Sequence, residues 1–419
     1  MASYVTFARS QMRRNKSIMN LVFSITAYPP STGGAQSHAH KLAQHLCVNH
    51  QLKVLTLWDQ NRTDWLAGTT FGMPNDPSDY VIDDIPVHKL GLSTAEKTKT
   101  LPWVISYLPF QKVAIKEIAR VYQNQISLLL SEANLIHNFR IGREPFSYAG
   151  YEISKKQGIP FVLTPFHHPR WNSWFHRYYL ALYQKADAVI ALTQSEKNTL
   201  ASLGVEPQRI FVTGHGPVIS PVKPNHSFRQ SYQIGENPMI LFLGQKYPYK
   251  GVDALIEAAP IVWSKYPTAY FVFIGPRTKY SQSLFTKNAD SRIIEIGIVD
   301  PEEKSNALDA CDLLCVPSSQ ESFGGVYTEA WMFKKPVIGC DIPAVAEVID
   351  NNKNGYTVSQ EADKIAEKII ALLSKPTVAN DMGEAGYEKV MAQYSWDQIT
   401  AKTEEAYHFA QQNLCGIHA

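Results

Sequence analysis

Cys311-Asp-Leu-Leu-Cys-Val-Pro-Ser-Ser-Gln-Glu-Ser-Phe-Gly-Gly-Val-Tyr-Thr-Glu-Ala-Trp331 reads as a short apolar run, a loop and the start of a helix. The run at 311–316 stops at Pro317, as a buried parallel strand does, and residues 328–333 read as helix. The loop between them therefore opens at the carboxyl end of a strand. In an open α/β sheet that edge is where ligands bind, and a helix N-terminus there favours anions. Gly324 and Gly325 bare the backbone so that N–H groups can approach a ligand. Glu321 and Glu329, with seven residues between them, are strong acceptors for paired hydroxyls such as those of a sugar or a ribose. Taken singly, Glu321 reads equally as a solvated loop residue, and Glu329 as a first-turn charge that complements the helix macrodipole.

The strand, loop and helix pattern recurs upstream. Met239-Ile-Leu-Phe-Leu-Gly244 leads through Gln245-Lys-Tyr-Pro-Tyr-Lys-Gly251 to a helix with Val252, Leu255, Ile256 and Ala259 on one face. Further strands at 270–274, 293–296, 313–316 and 337–340 alternate with helices, which indicates a doubly wound parallel sheet. Near the N-terminus a strand at 19–26 leads through Tyr28-Pro-Pro-Ser-Thr-Gly-Gly34 to a helix that aligns Ala35, Ala39, Leu42, Ala43 and Leu46. That loop lacks G-x-G-x-x-G spacing, which weighs against an oxidoreductase. Residues 53–57 read as a second strand, and 134–138 and 160–164 are short apolar runs ending near possible ligand residues.

Composition narrows the function. The 419 residues suit about two domains, with 45% hydrophobic and 19% charged residues for buried cores. A net charge of +2 is too balanced for a general nucleic-acid binder. The five cysteines are odd in number, and Cys311, Cys315 and Cys340 sit in or beside apolar runs, so reduced core thiols and a cytoplasmic protein are expected. No apolar run reaches the ~18 residues of a transmembrane helix. Residues 18–27 follow Arg13, Arg14 and Lys16 like a signal peptide's apolar region, but Asn20, Ser24 and Thr26 interrupt them, so they read as the first strand. The basic tail before them reads as disordered or as a contact for anionic membrane.

Two stretches carry unusual side chains. Residues 97–120 mix Trp103, Tyr107 and Phe110 with lysines, as a helix pair with a solvated basic face or as a patch touching membrane or a lipid-linked acceptor. Pro102 and Pro109 are expected to break the helix such a patch needs, so membrane contact is expected to be weak and peripheral at most. Residues 165–179 hold three histidines and six aromatics; rings stack on apolar sugar faces, and imidazoles and guanidinium groups bond hydroxyls. An aromatic core helix with polar tips is the other reading of that segment. No metal site is expected, because His38 and His40 fall on different helix faces and no Asp-x-Asp pair is placed to hold a metal on a diphosphate.

The string from Glu321 to Glu329, with Phe323, Gly324 and the helix that follows, resembles the Glu-x7-Glu motif of the retaining glycosyltransferases of family four. The resemblance spans most of residues 19–400 and is strongest at 239–358. It implies the GT-B architecture, two Rossmann-like doubly wound α/β domains facing across a cleft: a basic tail at 1–18, an acceptor domain at 19–216, a linker at 217–238, a donor domain at 239–395 and a helix at 396–419 crossing back. It implies that Glu321 contacts the donor sugar, that Glu329 takes the ribose hydroxyls, and that Phe323, Gly324, Gly325 and Val326 line the donor loop. Gly33 and Gly34 are implied to face the diphosphate, Lys250 to bind it, and His167, with His168 as second choice, to line the sugar site. Arg170, Trp171 and Trp174 join His168 on the acceptor side.

The chain departs from the family twice. An arginine usual after the strand-ending glycine is Gln245 here, with Lys246 or Arg277 as stand-ins, and a usual Asn-Gly is His215-Gly216. Lys246 reads otherwise as a solvated surface lysine. The implied activity is transfer of a sugar from a nucleotide diphosphate sugar, UDP- or GDP-linked, to a hydroxyl of a glycan, lipid-linked or small-molecule acceptor, with no other cofactor. A nucleotide-sugar epimerase or phosphorylase of this architecture, or a non-catalytic nucleotide-sugar binding protein, are the alternatives.

Overall fold

The structure, a computed structural model, describes residues 18–60, 66–140, 142–168, 171–222 and 227–417. The basic residues of the tail and Arg170 lie outside the described residues.

The first sheet contains β1 (Asn20–Ala27), β2 (Gln51–Trp58), β3 (Ser78–Ile82), β4 (Ile85–Lys89), β5 (Leu135–Phe139), β6 (Phe161–Thr164), β7 (Ala188–Ala191) and β8 (Ile210–Val212). Their spatial order is β3-β4-β2-β1-β5-β6-β7-β8. β1 is central, with Leu21 in register with both Leu52 and Leu135, and its residues 21–27 are all buried. A strand covered on both faces reads as a continuous apolar run, which is why it was legible. Of residues 58 to about 100, polar and rich in Pro, Asp and Thr, the sequence makes only 80–90 assignable, and there β3 and β4 form an antiparallel edge hairpin. Its two-residue turn, Asp83-Asp84, has φ of 49° and 62°, the backbone that matches the twist of a tight hairpin.

Pro102 does not break its helix: Thr94–Ile105 is continuous through it, and Gln111–Leu130 follows. Proline deletes one N–H, and because Pro102 and Thr98 are both exposed, water can take the carbonyl left over.

The second sheet is wholly parallel, with β9 (Met239–Leu243), β10 (Tyr270–Ile274), β11 (Ile293–Ile296), β12 (Leu313–Val316), β13 (Val337–Cys340) and β14 (Gly355–Val358) in the order β11-β10-β9-β12-β13-β14. From β9 the chain runs outward to β10 and β11, then crosses back to β12 and outward the other way. The loops after β9 and β12 therefore diverge, leaving a crevice at the carboxyl edge where such sheets bind ligands. Ile240 lies in register with Phe271 on one side and Leu313 on the other, which fixes this pair of neighbours.

The chain forms two compact units, Met1–Pro165 with Ala181–Val189 and Ala406–Ala419, and Phe166–Leu180 with Ile190–Glu405. The last helix, Trp396–Ile417, contributes residues to both. Among the described residues no helix is long and apolar enough to cross a membrane.

Candidate functional site

The site in the second unit starts from two glycines. A Cβ on Gly275 would lie 2.0 Å from the Gly244 carbonyl oxygen, and both residues have φ near +145° (144° and 146°), so the ends of β9 and β10 meet in a way only glycine permits. The chain leaving Gly244 alternates sides: Gln245 and Tyr247 are exposed, while Lys246 between them is fully buried. The loop closes with the turn Pro248–Lys250 and enters the helix Val252–Trp263 through Gly251. The Tyr249 carbonyl accepts from the Ser319 N–H at 2.8 Å and from Gln360 Nε2 at 3.1 Å, which also donates to Pro317 O at 2.6 Å. These bonds stitch the loop after β9 to the loop after β12.

Two glutamate–lysine pairs result. Lys250 Nζ lies 2.5 Å from Glu321 Oε1, both side chains mostly buried. Lys304 Nζ lies 2.8 Å from Glu329 Oε1 and donates to Val218 O at 2.6 Å. Lys304, from the helix Pro301–Ala310, was not among the sequence candidates, because nothing local to it points to Glu329. Gly324, at φ 83°, turns the chain into the helix Gly325–Met332, and Tyr327 Oη anchors that helix to Val316 O at 2.7 Å. Its first turn, Gly325 and Val326, presents backbone N–H groups at the crevice edge.

Lys246 is not a solvated lysine. Its ammonium pairs with Glu295 and donates to Ile296 O at 2.6 Å, and Arg277 Nε holds the other Glu295 oxygen at 2.5 Å. Burial pushes the Lys246 pKa down against the opposing pull of Glu295. Desolvation pushes Glu295 up, but the bonds from Lys246 and Arg277 outweigh it and hold the carboxyl below its usual range. Both stand-ins for the missing arginine thus converge on one carboxylate at the end of β11.

The histidine segment belongs to the same unit. His167 is buried, and its backbone N–H donates to Glu196 Oε1 at 2.6 Å, while Leu192 N–H donates to Oε2 at 2.7 Å. Burial pushes Glu196 up to about 7 even though those two bonds oppose it. His168 Nε2 lies 3.1 Å from Ser322 Oγ, beside Glu321, and its ring stands edge-on to Trp171 at 4.9 Å. The second-choice histidine therefore contacts the Glu321 loop. Trp174 is 58% exposed, with the Arg177 guanidinium 3.5 Å over its ring. His215 stacks on Phe323 at 5.8 Å, and a Cβ on Gly325 would lie 3.0 Å from its ring, so the His215-Gly216 departure packs against the donor loop.

Gly33 and Gly34 lie in the first unit, where Gly34 opens the helix Gly34–Leu46 at the end of β1 and a Cβ there would meet nothing within 4 Å. His40 is held between Tyr28 Oη at 2.8 Å and Asp83 at 2.9 Å. Among the described residues no group of three His, Cys, Asp or Glu could hold a metal ion.

Comparison with known proteins names this arrangement. Residues 32–216 match the family described as Glycosyltransferase Family 4, and residues 225–389 match Glycosyl transferases group 1. The chain is a GT-B, family-4-type glycosyltransferase. The glycosyltransferase is 22% identical over 394 residues to the phosphatidylinositol N-acetylglucosaminyltransferase gpi3 subunit of Schizosaccharomyces pombe, covering 90% of this chain and 78% of that one. It is 29% identical over 186 residues to the GDP-mannose-dependent alpha-(1-6)-phosphatidylinositol monomannoside mannosyltransferase of Mycobacterium tuberculosis, 42% of this chain and 48% of that one. Its fold is that of Anabaena HepE solved with UDP-glucose, at TM-score 0.71, 18% identity, and 92% and 98% coverage of the two chains. Sucrose-phosphate synthase from Thermosynechococcus elongatus is similarly alike, at TM-score 0.71, 17% identity, and 93% and 98% coverage.

Proposed function

We propose that this glycosyltransferase is a retaining, metal-independent enzyme that moves a sugar from a nucleotide diphosphate sugar to a hydroxyl of a glycan, lipid-linked or small-molecule acceptor. The observation that carries the reading is the pair of carboxylates, each held by its own lysine, on the two sides of one glycine turn at the switch point of the second sheet. A lysine partner holds each carboxylate oriented, ready to accept hydroxyl hydrogen bonds. Glu329 takes the ribose hydroxyls and Glu321 the sugar hydroxyls. The amides of Gly325 and Val326, with Lys250, receive the diphosphate.

In the step proposed, the bond from the sugar's anomeric carbon to the phosphate oxygen breaks. The acceptor oxygen bonds that carbon from the same face, and the acceptor proton passes to the departing phosphate oxygen. Glu321 positions the sugar and stabilises oxocarbenium character rather than acting as a nucleophile. His168, adjoining Ser322, and His167, anchored through Glu196, line the sugar side, with Trp171 and Trp174 toward the acceptor.

The relatives support a nucleotide-sugar donor without choosing its base: HepE is solved with UDP-glucose, and the mycobacterial relative is GDP-mannose-dependent. A thermal-shift screen of UDP- and GDP-sugars, followed by product analysis with the stabilising donor, tests the reading. Expected are stabilisation by one donor family and a product of unchanged anomeric configuration. Inverted product, or transfer that depends on an added divalent cation, overturns it.

A further inference from the structure

We propose that Tyr247 and Tyr249 form a platform beside Glu321 on which the apolar face of a pyranose ring, of the acceptor or of the donor, stacks. The two tyrosine rings are nearly parallel, 15° apart in plane, with centroids 5.8 Å apart. Lys250 Nζ lies 5.5 Å from the centre of the Tyr249 ring and 2.5 Å from Glu321 Oε1. Rings, ammonium and carboxylate are therefore successive neighbours.

The local sequence holds the rings in place. Pro248 separates the two tyrosines and opens the turn Pro248–Lys250, with its φ fixed by the pyrrolidine ring. Lys250 N–H donates to Tyr247 O and Gly251 N–H to Pro248 O, both at 3.0 Å. The Tyr249 carbonyl, already bonded by Ser319 N–H and Gln360, also accepts from Ser319 Oγ at 3.1 Å. Gly251 has φ 74°, and a Cβ there would lie 2.6 Å from Pro317 O, so the turn presses on the loop that carries Glu321. A platform ordered in advance costs its ligand little to use.

Exposure and chemistry select the ligand. Tyr247 is 39% exposed and Tyr249 half-buried, so the pair keeps ring surface open to solvent instead of spending it on the core. An aromatic ring covers the C–H face of a pyranose, while a neighbouring carboxylate and ammonium bond the hydroxyls around its rim. A nucleobase also stacks on tyrosine, but it goes with the ribose, and Glu329, the carboxylate read as the ribose ligand, is paired with Lys304 and not with Lys250. The choice of a sugar rests on Glu321 taking sugar hydroxyls, as proposed above.

Saturation-transfer NMR on the full chain tests it, with methyl glycosides of glucose, galactose, mannose and N-acetylglucosamine as acceptor probes and UDP-glucose and GDP-mannose as donor probes. Expected is saturation of the sugar C–H protons of at least one probe, a glycoside marking the acceptor as the source and a nucleotide sugar the donor. Tyr247→Ala should weaken that probe about five- to tenfold, while Tyr247→Phe, which keeps the ring, should stay within about twofold of wild type. Neither variant should move the unfolding midpoint, because Tyr247 is exposed. Sugar protons that stay unsaturated in every probe, a Tyr247→Ala protein that binds as tightly as wild type, or a loss confined to the base protons of a nucleotide sugar overturns the platform. So does a Tyr247→Phe protein as weak as Tyr247→Ala, which makes the contact the hydroxyl's and not the ring's. The glycoside arm needs neither donor nor turnover. Sugar stacking on a protein that yields no transfer product therefore supports the platform and counts only against the transfer reaction.

Discussion

Lys250 Nζ and Glu321 Oε1 are 2.5 Å apart although 71 residues separate them in the chain. The contact exists because the loops after β9 and β12 leave neighbouring strands and are tied together through the Tyr249 carbonyl. Each charge satisfies the other. Glu321→Gln should therefore leave affinity for a free nucleoside diphosphate near the wild-type value, while single-turnover transfer falls about 10- to 100-fold. Lys250→Met should nearly abolish transfer. Titration calorimetry alongside rapid-quench rates checks both; equal loss of nucleotide affinity in the two variants contradicts the division of roles.

Glu329 and Lys304 should behave as a unit for nucleotide binding. Removing Glu329 with alanine should weaken the nucleotide about 10- to 100-fold, the scale of ~1.5 to 3 kcal/mol for hydrogen bonds to a charged group. Lys304→Met should weaken it less, since the carboxylate survives but loses its orientation. Turnover at saturating donor should change little in both, and KM against kcat reads the difference.

The Lys246–Glu295–Arg277 cluster predicts a stability effect that a solvated lysine would not show. Lys246→Met should cost about 3 kcal/mol, as for a broken buried pair, because Glu295 loses its buried partner. Lys246→Met with Glu295→Leu should recover most of that. Arg277→Ala, at a half-exposed position, should cost under ~1 kcal/mol. Urea unfolding midpoints decide, and a Lys246→Met protein as stable as wild type contradicts the assignment.

Two buried groups should give opposing pH dependences of stability. His137 is fully buried between Tyr407 Oη at 2.8 Å and Thr164 Oγ1 at 2.7 Å, and burial pushes it from 6.5 down to about 3. Between those values the unfolded chain binds the extra proton, so this contribution is complete above about 6.5 and is lost as pH falls toward 3. Burial first of all pushes Glu196 from 4.5 up to about 7, so the folded state binds the extra proton there and stability falls as pH rises through that window. The slopes oppose each other from 4.5 to 6.5. Glu196→Gln should uncover there a rise of about 1.4 kcal/mol per pH unit. Urea titrations of both proteins across pH 4 to 8 check it, and parallel curves contradict it.

The parallel core of each sheet was legible because strands buried on both faces are continuous apolar runs, as at 239–244 and 313–316. The strand, loop and helix pattern made the places of Glu321, Glu329 and Lys250 legible, in the loop after β12, the helix that follows it and the turn after β9, while the roles expected of them came from the family resemblance. Between 58 and about 100 only 80–90 was legible, where Ile85 and Val87 of β4 are buried in alternation, and β14 was not read from the sequence. Pairings across the chain were also hidden. Lys304 on Glu329, Glu196 on the His167 amide and Glu295 between Lys246 and Arg277 depend on which strands lie side by side, and sheet order sets that. Local spacing determines on which side of a strand or helix a residue can point. Which charge it meets there is decided by long-range register, because a hydrogen bond needs its two atoms within about 3 Å and only the packed sheet brings them that close.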